Sequence, residues 1–155
     1  QRRISGARLF AMPELRPIRL RAGAITSGQP DEDLVVSPQH QVLIRGDRAR
    51  ELFNVDEVLV RAQDLVDERR VLIDTMAREV TYYHVLMENH EVVWANGVPT
   101  ESFHPANTSL DTVEEHQRAR LFEMFPALDY DPMAYGDYAR RSLNQAEAAI
   151  LRGVA

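Results

Sequence analysis

The stretch Val35-Val36-Ser37-Pro38-Gln39-His40-Gln41-Val42-Leu43-Ile44 sets a hydroxyl and an imidazole three residues apart between two β-branched apolar runs. Val35-Val36 and Val42-Leu43-Ile44 have strand character, and Pro38 cannot donate to a regular ladder between them. The spacing therefore predicts two strands joined by a bend or short turn, with Ser37 and His40 aimed at one point.

Downstream lies a second block, Tyr83-His84-Val85-Leu86-Met87-Glu88-Asn89-His90-Glu91-Val92-Val93-Trp94-Ala95-Asn96-Gly97-Val98. Asn96-Gly97 is a strong hairpin signal, because both central residues of a type I′ turn need positive φ. Val80 to Met87 is apolar on both faces and predicts a long central strand, with His84 on the face of Val80, Tyr82 and Leu86. Pro99 predicts that the returning strand is an edge or an exit. Upstream, Ile18, Leu20 and Ala22 alternate with Arg19 and Arg21, the period of a half-buried strand. Between the two blocks, Asp47 to Glu57 reads as a polar excursion carrying Leu52 and Phe53. Val58-Leu59-Val60 and Val71-Leu72-Ile73 read as short strands, and Ala62 to Val66 as one helical turn that tucks Ala62, Leu65 and Val66 inward.

From His104 onward the periods become helical. Thr112-x-x-Glu115 predicts a capping box opening a helix with Leu121, Phe122 and Phe125 on its apolar side, closed by Pro126. Asp131-Pro132 predicts a second short helix containing Tyr135 and Tyr138. Ser142-x-x-Gln145 predicts the cap of a third, with Leu143, Ala146, Ala149 and Ile150 as its stripe and Gly153 as its stop.

A chain of 155 residues suits one domain with a real core plus an appendage. A formal charge of -6 argues against a nucleic-acid surface, which needs a basic face to neutralise phosphates. All 18 basic residues are Arg and six precede position 22, a pattern read as solvated strand faces rather than an anion site. No run reaches the roughly 20 apolar residues that span a bilayer, and Gln1-Arg2-Arg3-Ile4 has no apolar signal core. No membrane span is expected, the stretch should be soluble, and no compartment is indicated. There is no cysteine, so the chain itself supplies no disulfide, thiolate ligand or thiol nucleophile.

Ser37-x-x-His40 resembles the Thr-x-x-His block of the hedgehog/intein (Hint) self-processing domains, and Tyr83 to Val98 resembles their late hairpin. The run Pro17 to Ala24 and the triplet Glu101-Ser102-Phe103 are similar to the bacterial hedgehog/intein type. The resemblance implies a mainly β, Hint-type all-β fold over residues 1–103, followed by a C-terminal α-helical extension over 104–155. It also implies that the domain is incomplete at its N-terminus. The family begins with a Cys or Ser nucleophile, whereas Arg2 to Arg8 resembles a segment found part-way through it.

The chemistry this resemblance implies is an acyl shift, in which an N-terminal thiol or hydroxyl attacks the preceding carbonyl and replaces an amide by a thioester or ester. The leaving nitrogen must be protonated and the oxyanion stabilised, which calls for an imidazole and a neutral donor. His40 matches the family's catalytic His and Ser37 stands for its Thr. His84 lies near the place where inteins carry an Asp, and is a third catalytic candidate as acid or base. His90 is expected to be structural or exposed, and His104 and His116 to be surface residues. Inteins end in His-Asn, but Glu101-Ser102 occupies those positions, so no succinimide forms and splicing is not expected. An external nucleophile such as water or an alcohol would resolve the intermediate.

The stretch alone should be inert, and its one expected partner is its own upstream N-terminal segment. Neutral imidazoles at His40, His84 and His90 suit zinc, yet nothing in their spacing demands it, so no metal or cofactor is expected. The competing reading is a non-catalytic β-rich binding or structural module whose helical tail packs on a partner.

Overall fold

A computed structural model describes residues 1–107, 110 and 113–153. In chain order its strands are β1 (Arg2–Ile4), β2 (Ile18–Leu20), β3 (Leu34–Val36), β4 (Gln41–Arg45), β5 (Glu57–Arg61), β6 (Val71–Ile73), β7 (Val80–Tyr82), β8 (Val92–Ala95), β9 (Val98–Glu101) and β10 (Arg141–Ser142). The α-helices are α1 (Gly6–Ala11), α2 (Asp47–Phe53), α3 (Glu115–Met124) and α4 (Gln145–Arg152). The fold is mainly β with a helical tail.

The opening block folds as its chemistry dictates. Strands β3 and β4 flank a tight turn in which the His40 N–H donates to the Ser37 carbonyl at 3.1 Å, with Pro38 at the turn's second position, where its fixed φ fits. The two strands then part. β3 joins a three-stranded sheet in the order β3-β2-β6, while β4 lies in a five-stranded sheet in the order β10-β5-β4-β9-β8. The Ser37–His40 turn thus bridges two sheets.

Alternation explains the core. Val42, Val58 and Val60 turn toward a cluster that also takes Ile18, Leu20, Leu34, Val36, Val71 and Val98 from the other strands. Their neighbours Leu43 and Leu59, paired across β4 and β5, are also buried, so these strands are covered on both faces. The C-terminal residues reach the same core. β10 pairs in parallel with β5, and Leu143, Ala148 and Leu151 join the cluster. Two smaller clusters form around Ile4, Leu9 and Tyr82, and around Leu121, Leu128 and Tyr135.

The Asn96-Gly97 hairpin forms as expected between β8 and β9, with φ of 46° and 73°. Other expectations need correction. β7 stops at Tyr82 and among the described residues pairs with β1 alone, so Val80 to Met87 is not one long central strand. Tyr83 and Val85 are 73% and 56% exposed, while His84 packs on Phe103 and Leu86 on the cluster of Leu121, Leu128 and Tyr135. β9 is interior rather than an edge or exit. Pro99 lies opposite Trp94 at a non-hydrogen-bonded position of a two-residue hairpin, where β8 asks no N–H of it. Ala22 lies past the end of β2 and is exposed.

Asp47 to Phe53 is helix α2, not an irregular excursion, and it buries Ala49 and ends at Asn54 in the left-handed region. In the tail, Thr112 and hence its capping box lie outside the described residues. Asp131 does cap a short 3-10 turn at Pro132–Tyr135, but Tyr138 falls beyond it. The cap of α4 is Asn144, reciprocated by Glu147, while Ser142 belongs to β10. The buried face of α4 is accordingly Ala148 and Leu151, with Ala146 and Ile150 outward.

Candidate functional site

Ser37, His40 and His84 converge. With Gln39, Glu101, Ser102, Phe103, His104 and Asn107 they line one small cavity of about 10 Å³, the room of a single small group. The turn after β3 supplies Ser37 and His40, the segment after β7 supplies His84, and the end of β9 supplies Glu101. The His40 ring and the Ser37 hydroxyl make no hydrogen bond among the described residues, which leaves both available to a reacting group.

Burial sets the protonation of both rings. His40 is held below the ordinary imidazole value chiefly by desolvation, with the Glu101 charge raising it and His90 lowering it. Desolvation also dominates at His84, which is lowered to about 4, assisted by the His40 charge. His84 packs against Phe103 with ring centroids 5.4 Å apart. Both imidazoles are therefore neutral near pH 7, the form that accepts a proton.

Behind the cavity lies a polar network that sequence reasoning missed. Glu101 is 5% exposed and accepts four N–H groups from the described residues. They come from Gln41 N to Oε1 at 2.9 Å, Gln41 Nε2 to Oε2 at 2.9 Å, Asn107 Nδ2 to Oε2 at 2.8 Å and His90 Nε2 to Oε2 at 3.2 Å. Because His90 Nδ1 accepts from the Ala139 N–H at 2.9 Å, the ring's proton sits on Nε2 and points at the carboxylate. Four donors match the acceptor capacity of a carboxylate.

His90 is fully buried at its side chain and has a structural part in this network. His104 is the clear correction. It is 1% exposed rather than a surface residue, donates from Nε2 to the Gly136 carbonyl at 2.9 Å and accepts at Nδ1 from Ala106 at 3.1 Å. Its ring stacks on Tyr138 with centroids 4.3 Å apart, and burial lowers its pKa. His116 is exposed, as expected. A Glu closing the strand after a hairpin was the one available signal for Glu101, while nothing in the sequence marks His104.

Among the described residues no three His, Cys, Asp or Glu side chains are grouped to hold a metal ion. No helix among them is long and apolar enough to cross a membrane.

A second cavity, of about 420 Å³, opens on the far side of His84 and Phe103. Gln1, Arg2, Leu86, Leu121 and Met124 are among its lining residues. The two cavities thus share a wall made by the His84–Phe103 pair.

Compared with known proteins, residues 1–107 match a family model described as Hint domain. No curated relative and no solved structure matches the chain.

Proposed function

Since the chain belongs to the Hint domain family, we propose that it carries the acid–base half of a self-processing site, with His40 as the proton-transfer group and Ser37 and His84 beside it. The observation that carries this reading is the convergence of the three side chains on one cavity while the His40 ring makes no hydrogen bond among the described residues. A thiol or hydroxyl from residues outside this stretch supplies the nucleophile. Neutral His40 takes its proton as the sulfur or oxygen attacks the carbonyl carbon, then returns it as imidazolium to the departing amide nitrogen. The carbon–nitrogen bond breaks as the thioester or ester forms. A depressed imidazole pKa makes the imidazolium a stronger acid for that second transfer.

Ser37 places a hydroxyl where it can donate to the oxyanion. His84 is suited to activate the nucleophile that resolves the intermediate. The domain's residues 1–103 and the helical extension over 104–155 serve one single-turnover event, and the 155 residues alone are inert. No splicing is proposed, since Glu101-Ser102 offers no Asn to form a succinimide.

The test is intact mass spectrometry on the chain extended by its natural upstream sequence, incubated with and without added thiol, beside a His40→Ala control. Thiol-dependent cleavage at a single upstream bond, lost in the control, is the expected result. An uncleaved mass in every sample would replace this reading with that of a non-catalytic binding module.

A further inference from the structure

The self-processing reading makes no use of Glu101, yet this carboxylate holds the residue next to His40. We propose that Glu101 is a positioning residue for His40, and that residues 138–142, outside the matched region 1–107, complete the site by bracing it. The proposal rests on the reading of His40 as the acid–base group.

Two contacts grip the chain at His40. The peptide that joins His40 to Gln41 donates its N–H to Glu101 Oε1, and the Gln41 amide donates to Oε2, both at 2.9 Å. Only Val42 and Thr100 pair between β4 and β9, so at this end the Glu101 side chain does what a backbone ladder would otherwise do. A buried carboxylate is a costly way to join two strands, since neutral or apolar groups would do so with less desolvation. The charge therefore needs a further use, and it faces His40 across the shared cavity.

Each of the three residues that hold Glu101 is itself held from the tail. Tyr138 donates its hydroxyl to Asn107 Oδ1 at 2.7 Å, the Ala139 N–H donates to His90 Nδ1, and Ser142 donates to Gln41 Oε1 at 2.5 Å. These contacts span 31, 49 and 101 residues of sequence. The groups whose charge acts on His40 are Glu101 from β9 and His90 from the loop before β8, while His84 from the segment after β7 lines the same cavity. Glu101 alone among them favours the imidazolium, so it opposes the desolvation that would otherwise make His40 a poor base.

The experiment is an NMR titration of the histidine ring nitrogens in the 155-residue chain. Glu101→Gln is expected to lower the His40 midpoint by about half a pH unit or more, at least a roughly threefold fall in proton affinity. Glu101→Asp, which retains the charge, is expected to titrate nearer the wild type. Tyr138→Phe and Ser142→Ala should move the His40 ring signals in the direction of Glu101→Gln, by less. A folded Glu101→Gln chain whose His40 titrates as in the wild type would overturn the proposal. If that variant does not fold, Tyr138→Phe decides alone: unmoved His40 signals overturn the proposal and shifted ones support it. No cleavage enters the measurement. A chain that passes it but never cleaves with its upstream sequence restored would refute the self-processing reading and leave the coupling of Glu101 to His40 standing.

Discussion

Replacing His84 with Phe should remove a measurable part of the protein's sensitivity to acid. The folded chain holds the His84 imidazole at about 4 against an ordinary 6.5, first because it is desolvated and then because the His40 charge lowers it. Between those values the unfolded chain binds the proton and the folded chain does not. Stability is therefore fully present above about pH 6.5 and falls as the pH drops toward 4. A difference of about 2.5 units corresponds to at most roughly 3 kcal/mol, and the part lost between about pH 7.5 and pH 5 is roughly 2 kcal/mol.

Urea unfolding of the wild type and His84→Phe at those two pH values isolates this contribution, because every other titrating group is common to both chains. The phenyl ring can take the place of the imidazole against Phe103, so the variant should fold. The wild type is expected to lose about 2 kcal/mol more than the variant on acidification. Parallel losses in the two chains would refute the reasoning, and with it the burial assigned to His84.

Three further outcomes follow from the packing. Leu143→Ala, in a residue 2% exposed, should cost about 3 kcal/mol in urea unfolding, which would show that the C-terminal segment shares the core's cooperative unit. Gly97→Ala should cost about 1–2 kcal/mol in thermal unfolding, because its φ of 73° is strained for any residue with a Cβ and the new methyl would lie 3.3 Å from the Asp31 carboxylate carbon. Asn144→Ala should cost about 1 kcal/mol and reduce helical circular dichroism, since it removes the oxygen that accepts from the Glu147 N–H.

Turn chemistry and short-range periodicity were legible in the sequence. Pro38 between two β-branched runs and the Asn96-Gly97 pair act through their own backbone restrictions, so the Ser37–His40 turn and the β8–β9 hairpin form where the residues imply. The alternation of Ile18 and Leu20 likewise fixed which residues of β2 face inward. The same residues and their order were enough to suggest the family, and through it Ser37, His40 and His84 as candidates.

Length and partners were decided elsewhere. Val80 to Met87 is apolar enough for a long central strand, but a strand persists only where a neighbour pairs with it, and β1 offers three residues. Asp47 to Phe53 is mostly polar by composition, yet it is helical and turns Ala49 and Phe53 toward the core. The polar network is the largest omission. A buried Glu is tolerable only if donors reach it from several elements, and Gln41, His90 and Asn107 do so only once β4, β9 and the tail are assembled. His104 is buried against the half-buried Tyr138 across more than thirty residues, a fact no local pattern encodes. Local backbone preference thus determined the turns that present the candidate residues, and long-range desolvation, which exists only in the folded chain, decided which side chains surround them.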